Sequence, residues 1–208
     1  MPRTCNINLQ ELGRLDACGN NMSGVRAIWI IAKKDVTAIN AVQPNTVTSL
    51  ADLVTLDTSG LTNKHAIECV EGKGFAAIYC AVDMGELKYT TQGKLSGCKS
   101  LKATLDIYHP GFKRAALGAQ AYFNNEEAII VVKLNNGLIH LLGDMDRGAD
   151  FQDGVESSSG KSGEDDNGVN FIWVYNCPAQ RIFSDEWDPK DATIGLPIVA
   201  TETVNDGE

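Results

Sequence analysis

Residues 126–142 read Glu-Glu-Ala-Ile-Ile-Val-Val-Lys-Leu-Asn-Asn-Gly-Leu-Ile-His-Leu-Leu. Ala128 to Val132 is an unbroken apolar run in which Ile129, Ile130, Val131 and Val132 are β-branched, the composition of a central strand. Asn135-Asn136-Gly137 then supplies residue types that tolerate the positive φ of a tight turn. Leu138–Leu142 returns as a second strand. A hairpin this apolar needs cover, so the reading predicts a β-rich domain with the pair at its centre.

Upstream, Phe112, Ala115, Ala116, Ala119, Tyr122 and Phe123 recur at helical spacing. They predict one helix, with Pro110 in its first turn, where the missing N–H costs nothing, and Asn124-Asn125 at its end. Before it, Leu95–Tyr108 alternates through Leu101, Ala103, Leu105 and Ile107. Gly85–Thr91, Gly74–Val82 and Ala66–Val70 precede it, separated by turns at 71–74 and 91–93. Short strands between Gly-bearing turns predict consecutive antiparallel pairing. Gly24–Ala32 reads as a mostly buried strand, and 46–56 as irregular or weak strand.

Downstream, Gly143–Gly168 is rich in Asp, Glu, Ser and Gly and predicts a long acidic loop. Val169–Tyr175, with Phe171, Trp173 and Tyr175 alternating, predicts a further strand that Cys177-Pro178 stops. The expected organisation is one domain over 1–208: a core at Gly24–Phe183, the loop at 143–168, and an arm at Ser184–Glu208. The fold class expected is mainly β with one flanking α-helix, an antiparallel β-sandwich or barrel.

Charge narrows the function. The net charge is −9, but residues 1–143 hold 14 Lys/Arg against 12 Asp/Glu, while 144–208 hold 4 against 15. A sequence-reading nucleic-acid binder has the opposite sign. Met1–Cys18 lacks the continuous apolar run of a signal peptide. The longest apolar stretches, Ala27–Ala32 and Ala128–Val132, fall far short of the roughly 20 residues of a membrane helix. The expectation is a soluble chain without a membrane anchor.

Motifs for chemistry fail on spacing. Gly154 to Gly160-Lys161-Ser162 has five residues between its glycines, where a phosphate-cradling loop has four, and Gly-Glu-Asp-Asp follows instead of a helix. Asp144, Asp146, Asp150 and Asp153 resemble a calcium loop, yet Gly148 stands at the third ligand position and Arg147 adds an opposing charge. His65, His109 and His140 lie in no catalytic motif, and His140 falls at an alternating strand position. None of the six cysteines has C-x-x-C spacing, and Cys69 and Cys80 read as buried free thiols. The reading expects no enzyme, cofactor or metal site.

The order of the hairpin through Asn135-Asn136-Gly137 to Leu142-Gly143, then Ser162-Gly163 and Asp165-Asp166-Asn167-Gly168 before Val169–Tyr175, resembles tail-tube and tail-ring proteins of phages of Bacteroides-type hosts, crAss-like phages included. Cys18-Gly19 with Ser23-Gly24-Val25 resembles their opening, with Ser23 where they carry glycine. The resemblance implies a virion structural protein of the tail, made in the host bacterial cytoplasm. It implies a closed ring of six or twelve copies, contacts to other tail or portal-proximal proteins, and a channel that passes genomic DNA without binding it specifically. The contact candidates are Asn135, Asn136, Gly137, Gly143, Gly163, Asp165 and Asp166. The alternative is a carbohydrate- or receptor-binding β-sandwich, with Trp187 the one tryptophan placed outside a strand; Trp29 and Trp173 lie in strands that read as buried.

Overall fold

A computed structural model describes residues 4–5, 23–58, 66–80, 84–94, 99–111, 113–152, 157–159 and 167–184. The strands are β1 (Thr4–Cys5), β2 (Val25–Ala32), β3 (Val36–Ile39), β4 (Thr46–Val47), β5 (Thr55–Leu56), β6 (Ile67–Cys69), β7 (Ala76–Ile78) and β8 (Gly85–Gln92). They continue with β9 (Ser100–Pro110), β10 (Ala128–Leu134), β11 (Ile139–Leu142), β12 (Asp150–Phe151), β13 (Ser157–Ser159), β14 (Asn167–Cys177) and β15 (Ile182–Phe183). Helix α1 (Arg114–Phe123) joins β9 to β10.

A six-stranded sheet runs in the order β5-β15-β11-β10-β2-β7, and a five-stranded sheet runs β12-β14-β9-β8 with β13 also on β14. The expected class therefore holds: mainly β, built mostly from antiparallel ladders, with β15–β5 and β1–β4 parallel and one α-helix among the described residues. The quoted hairpin sits inside the larger sheet. β10 pairs β11 on one side and β2 on the other, Ile130 facing Leu142 and Ile30. Its run Ala128–Val132 is wholly buried because both faces of the sheet are covered.

On one face Ile28, Ile30, Ile130, Val132 and Leu142 meet Leu105, Ile107, Phe171 and Trp173 of the smaller sheet. On the other, Ile31, Ile129, Val131, Ile139 and Leu141 pack under Val36, Leu56, Ile67, Phe75 and Phe183. A strand covered on both faces needs apolar side chains at every position, which is why residues 128–132 do not alternate. β14 is covered on one face and does alternate, burying Val169, Phe171, Trp173, Tyr175 and Cys177. Trp173 stacks on Phe171 with centroids 5.5 Å apart and meets Phe123 of α1 edge-on at 6.0 Å.

Several expectations change. β6 pairs β3 and β7 pairs β2, so of the four strands between 64 and 108 only β8 and β9 are consecutive partners. Sequence-adjacent strands follow a tight turn only where both can face one core; here β7 joins the larger sheet while β8 lies in the smaller. Pro110 ends β9 and does not open α1, because Gly111 turns the chain at φ 89° and the helix starts at Arg114. The segment 143–168, expected as one loop, contributes β12 and β13 to the edge of β14. Within 46–56, the carboxylate of Asp52 accepts the amides of Thr48 and Ser49 at 2.8 Å each, and Ser49 Oγ accepts the Asp52 amide at 3.2 Å. That reciprocal cap starts a 3-10 turn over Ala51–Leu53.

Candidate functional site

β8 is the long free edge among the described strands. Its ladder runs to β9 alone, from Gly85 opposite Ile107 to Gln92 opposite Ser100, and no other described strand pairs with it. The remaining described sheet ends are short, from two residues in β5 and β12 to three in β7 and four in β3. The far edge of β14 is taken by β12 and β13 in succession. An exposed strand of eight residues is a template for a strand from another chain.

Side chains along β8 alternate in exposure. Leu87 and Tyr89 pack against the core between the sheets, while Glu86, Lys88 and Thr90 are exposed. Across the ladder Glu86 faces Asp106, a like charge, and Lys88 faces Thr104. Burial and then Glu86 push the Asp106 carboxyl above the usual carboxylate range, against a hydrogen bond from Asn170. The ion pairs among described residues are Lys33–Glu127, Lys34–Glu126 and Lys73–Asp35, so neither Glu86 nor Lys88 has an ionic partner among the described residues.

The expected contact residues divide. Asn135, Asn136 and Gly137 form the hairpin tip, and Gly137 turns it at φ 93° with nothing near the place a Cβ would take. Asn135 Nδ2 donates to the Ser23 carbonyl at 2.7 Å, and Asn136 Oδ1 accepts the Leu138 amide at 3.0 Å, so both amides serve the chain itself. Gly143 is buried: at φ 100° a Cβ there would stand 2.7 Å from Ile129 Cδ1. It packs against the chain's own interior. Gly163, Asp165 and Asp166 lie outside the described residues.

Asp144, the first of the acidic cluster, is a turn cap. Its Oδ1 accepts the amides of Asp146 and Arg147 at 2.9 and 2.7 Å, and its Oδ2 accepts the Tyr175 hydroxyl at 2.6 Å. Burial opposes its charge, but these donors and Arg181 outweigh it and hold the carboxyl below its ordinary range. Among described residues no group of three His, Cys, Asp or Glu side chains is placed to hold a metal ion, and Asp153 is not described.

His140 lies in the interior, where its Nδ1 meets the Tyr89 hydroxyl at 3.0 Å and joins the two sheets. Burial pushes its pKa down to about 4. Cys69 and Cys80 are free thiols but only half-buried, while Cys177 is buried. Of the tryptophans, Trp173 is buried and Trp29 half-buried; Trp187, like His65, is outside the described residues.

Sequence reading missed a cavity of about 350 Å3 between α1, β7 and the mouth of the sandwich. Ala76 and Ala77 on one side and Ala115, Ala116 and Ala119 on the other leave the space, Phe171 and Phe123 line it, and His109 and Asp35 also border it. The signal was present as two alanine-rich segments at facing positions, but only the tertiary fold brings them together. No helix among the described residues is long and apolar enough to cross a membrane. No protein-family model and no curated protein matches this sequence, so the site is read from its own geometry.

Proposed function

We propose that the chain is a self-assembling structural subunit of a virion, of the phage tail-ring or tail-tube kind. The observation that carries this reading is the free β8 edge beside short or covered ones, because such an edge is a surface for adding strands and supplies no chemistry. The one-helix β-sandwich and the order of turn motifs from Asn135 to Gly168 support it. The acidic excess of residues 144–208 suits a conduit that does not retain DNA, since carboxylates repel phosphates. Enzymatic chemistry is not part of the proposal.

Light scattering on the purified chain across a concentration series tests it. Species of two or more subunits, growing with concentration, are expected. A monomer at every concentration would overturn self-assembly. A second reading, a ligand-binding β-sandwich, draws on the cavity beside His109. Chemical-shift changes confined to Ala76, Ala119 and His109 on adding small glycans would favour it.

A further inference from the structure

We propose that β8 pairs antiparallel with β8 of a second copy, about a two-fold axis through Leu87, so that Glu86 of each copy lies opposite Lys88 of the other. The inference rests on the assembly reading and adds the partner and the register.

Length comes first. β8 offers eight residues of open edge, and no other described edge offers more than four in an unbroken strand. Only another β8 offers a comparable length to pair with, and a two-fold at Leu87 uses its Gly85–Tyr89 half. Two identical strands joined antiparallel are related by a two-fold axis. With the axis perpendicular to the sheet, the core-facing sides of both copies stay in line, so residues opposite one another share a face. The axis then passes through a residue, and each choice of residue sets a different register.

Charge selects among the registers. Centring on Lys88 places that ammonium against its own copy, which is unfavourable. Centring on Tyr89 sets Glu86 against Gln92 and Lys88 against Thr90, so no charges meet. Centring on Leu87 gives two Glu86–Lys88 pairs on the exposed face and places Gly85 opposite Tyr89 on the other. The monomer supplies the reason this matters: Glu86 already faces Asp106 across the ladder, and Lys88 faces only Thr104. A cation delivered opposite Glu86 relieves a like-charge contact that no ion pair among the described residues relieves. The smaller sheets of the two copies then become one continuous sheet through the axis.

The test is charge exchange in the full chain, read as the dissociation constant of the association step by sedimentation or light scattering. Glu86→Lys and Lys88→Glu each turn two attractions into two repulsions, because the axis counts every change twice. Each is expected to raise the dissociation constant about tenfold or more. An equimolar mixture of the two variants is expected to associate as the unaltered chain does, since each then meets its opposite. Glu86→Lys also faces Asp106 with an opposite charge, so its monomer is expected to be at least as stable to urea, which separates lost pairing from lost folding. Unchanged association in both single variants, or no recovery in the mixture, would overturn this register while leaving self-assembly standing. A wild-type chain that stays monomeric at every concentration would remove both.

Discussion

At Asp144 one carboxylate holds together a turn and a strand. It accepts two amides from its own turn and the hydroxyl of Tyr175 on β14. Asp144→Ala leaves those donors without their acceptor, and unsatisfied partly buried groups cost about 1–3 kcal/mol. Urea denaturation should register a loss of that size. Glycines divide in the same way. Gly143→Ala forces a Cβ to within 3.0 Å of the Ala128 carbonyl and against Ile129 at positive φ, whereas Gly137→Ala meets open space. The second should cost about 1 kcal/mol and the first clearly more, measured side by side in urea.

His140 makes stability depend on pH. Burial holds the imidazole neutral, with a pKa of about 4 against an unfolded value near 6.5. The unfolded chain therefore binds the proton more readily between those values. Stability is complete above about 6.5 and falls as pH drops toward 4, by roughly 1–2 kcal/mol between pH 7 and pH 5. Urea midpoints at the two pH values should show this fall, and His140→Asn should flatten it. Asp144, whose pKa is depressed, adds a loss at still lower pH, as the medium passes below the ordinary carboxylate range.

Among elements, β10 separates two kinds of strand. Ile129 and Ile130 point to opposite faces, yet both are fully buried, in different clusters. Ile129→Ala and Ile130→Ala should each cost about 2–5 kcal/mol. A sheet with one wet face would show that cost at alternate positions only, so the pair of variants tests the two-sided cover directly. This strand was legible from its unbroken Ala-Ile-Ile-Val-Val run, as was the alternation of β14 and the turn at Asn135-Asn136-Gly137. The partners of β6 and β7 were not legible. A three-residue strand says that it is extended, but the choice of sheet is made by cores assembled from residues far away in sequence. Pro110 misled for a related reason: its fixed φ suits a helix's first turn and a strand's end equally, and Gly111 decides between them.

The candidate site was legible in part for the same physical cause. Alternating Glu86, Leu87, Lys88 and Tyr89 marked β8 as a strand with one polar face, but whether a strand lies at an edge depends on what the rest of the chain leaves uncovered. Gly143 stood out in sequence only as a glycine at the end of a strand; that its positive φ serves the turn over Ile129 is set by the fold.

On the scale of the whole molecule, two sheets share one interior and the larger sheet carries a second core on its outer face. Helix α1 closes one end loosely, its alanines facing those of β7 across the cavity. Filling that space should stabilise the monomer without touching association. Ala119→Leu is expected to raise the urea midpoint and leave the light-scattering mass unchanged, whereas a variant at Lys88 should do the reverse.

The covered side of β14 bears on how far such a protein can grow. β12 and β13 lie along one border of the smaller sheet and leave β8 as its one long open border among the described strands. Two copies that join there, as proposed, use up that border. The long backbone ladder then ends at two copies, so a ring of more subunits closes through side-chain and loop contacts, with the strand-paired dimer as its building block.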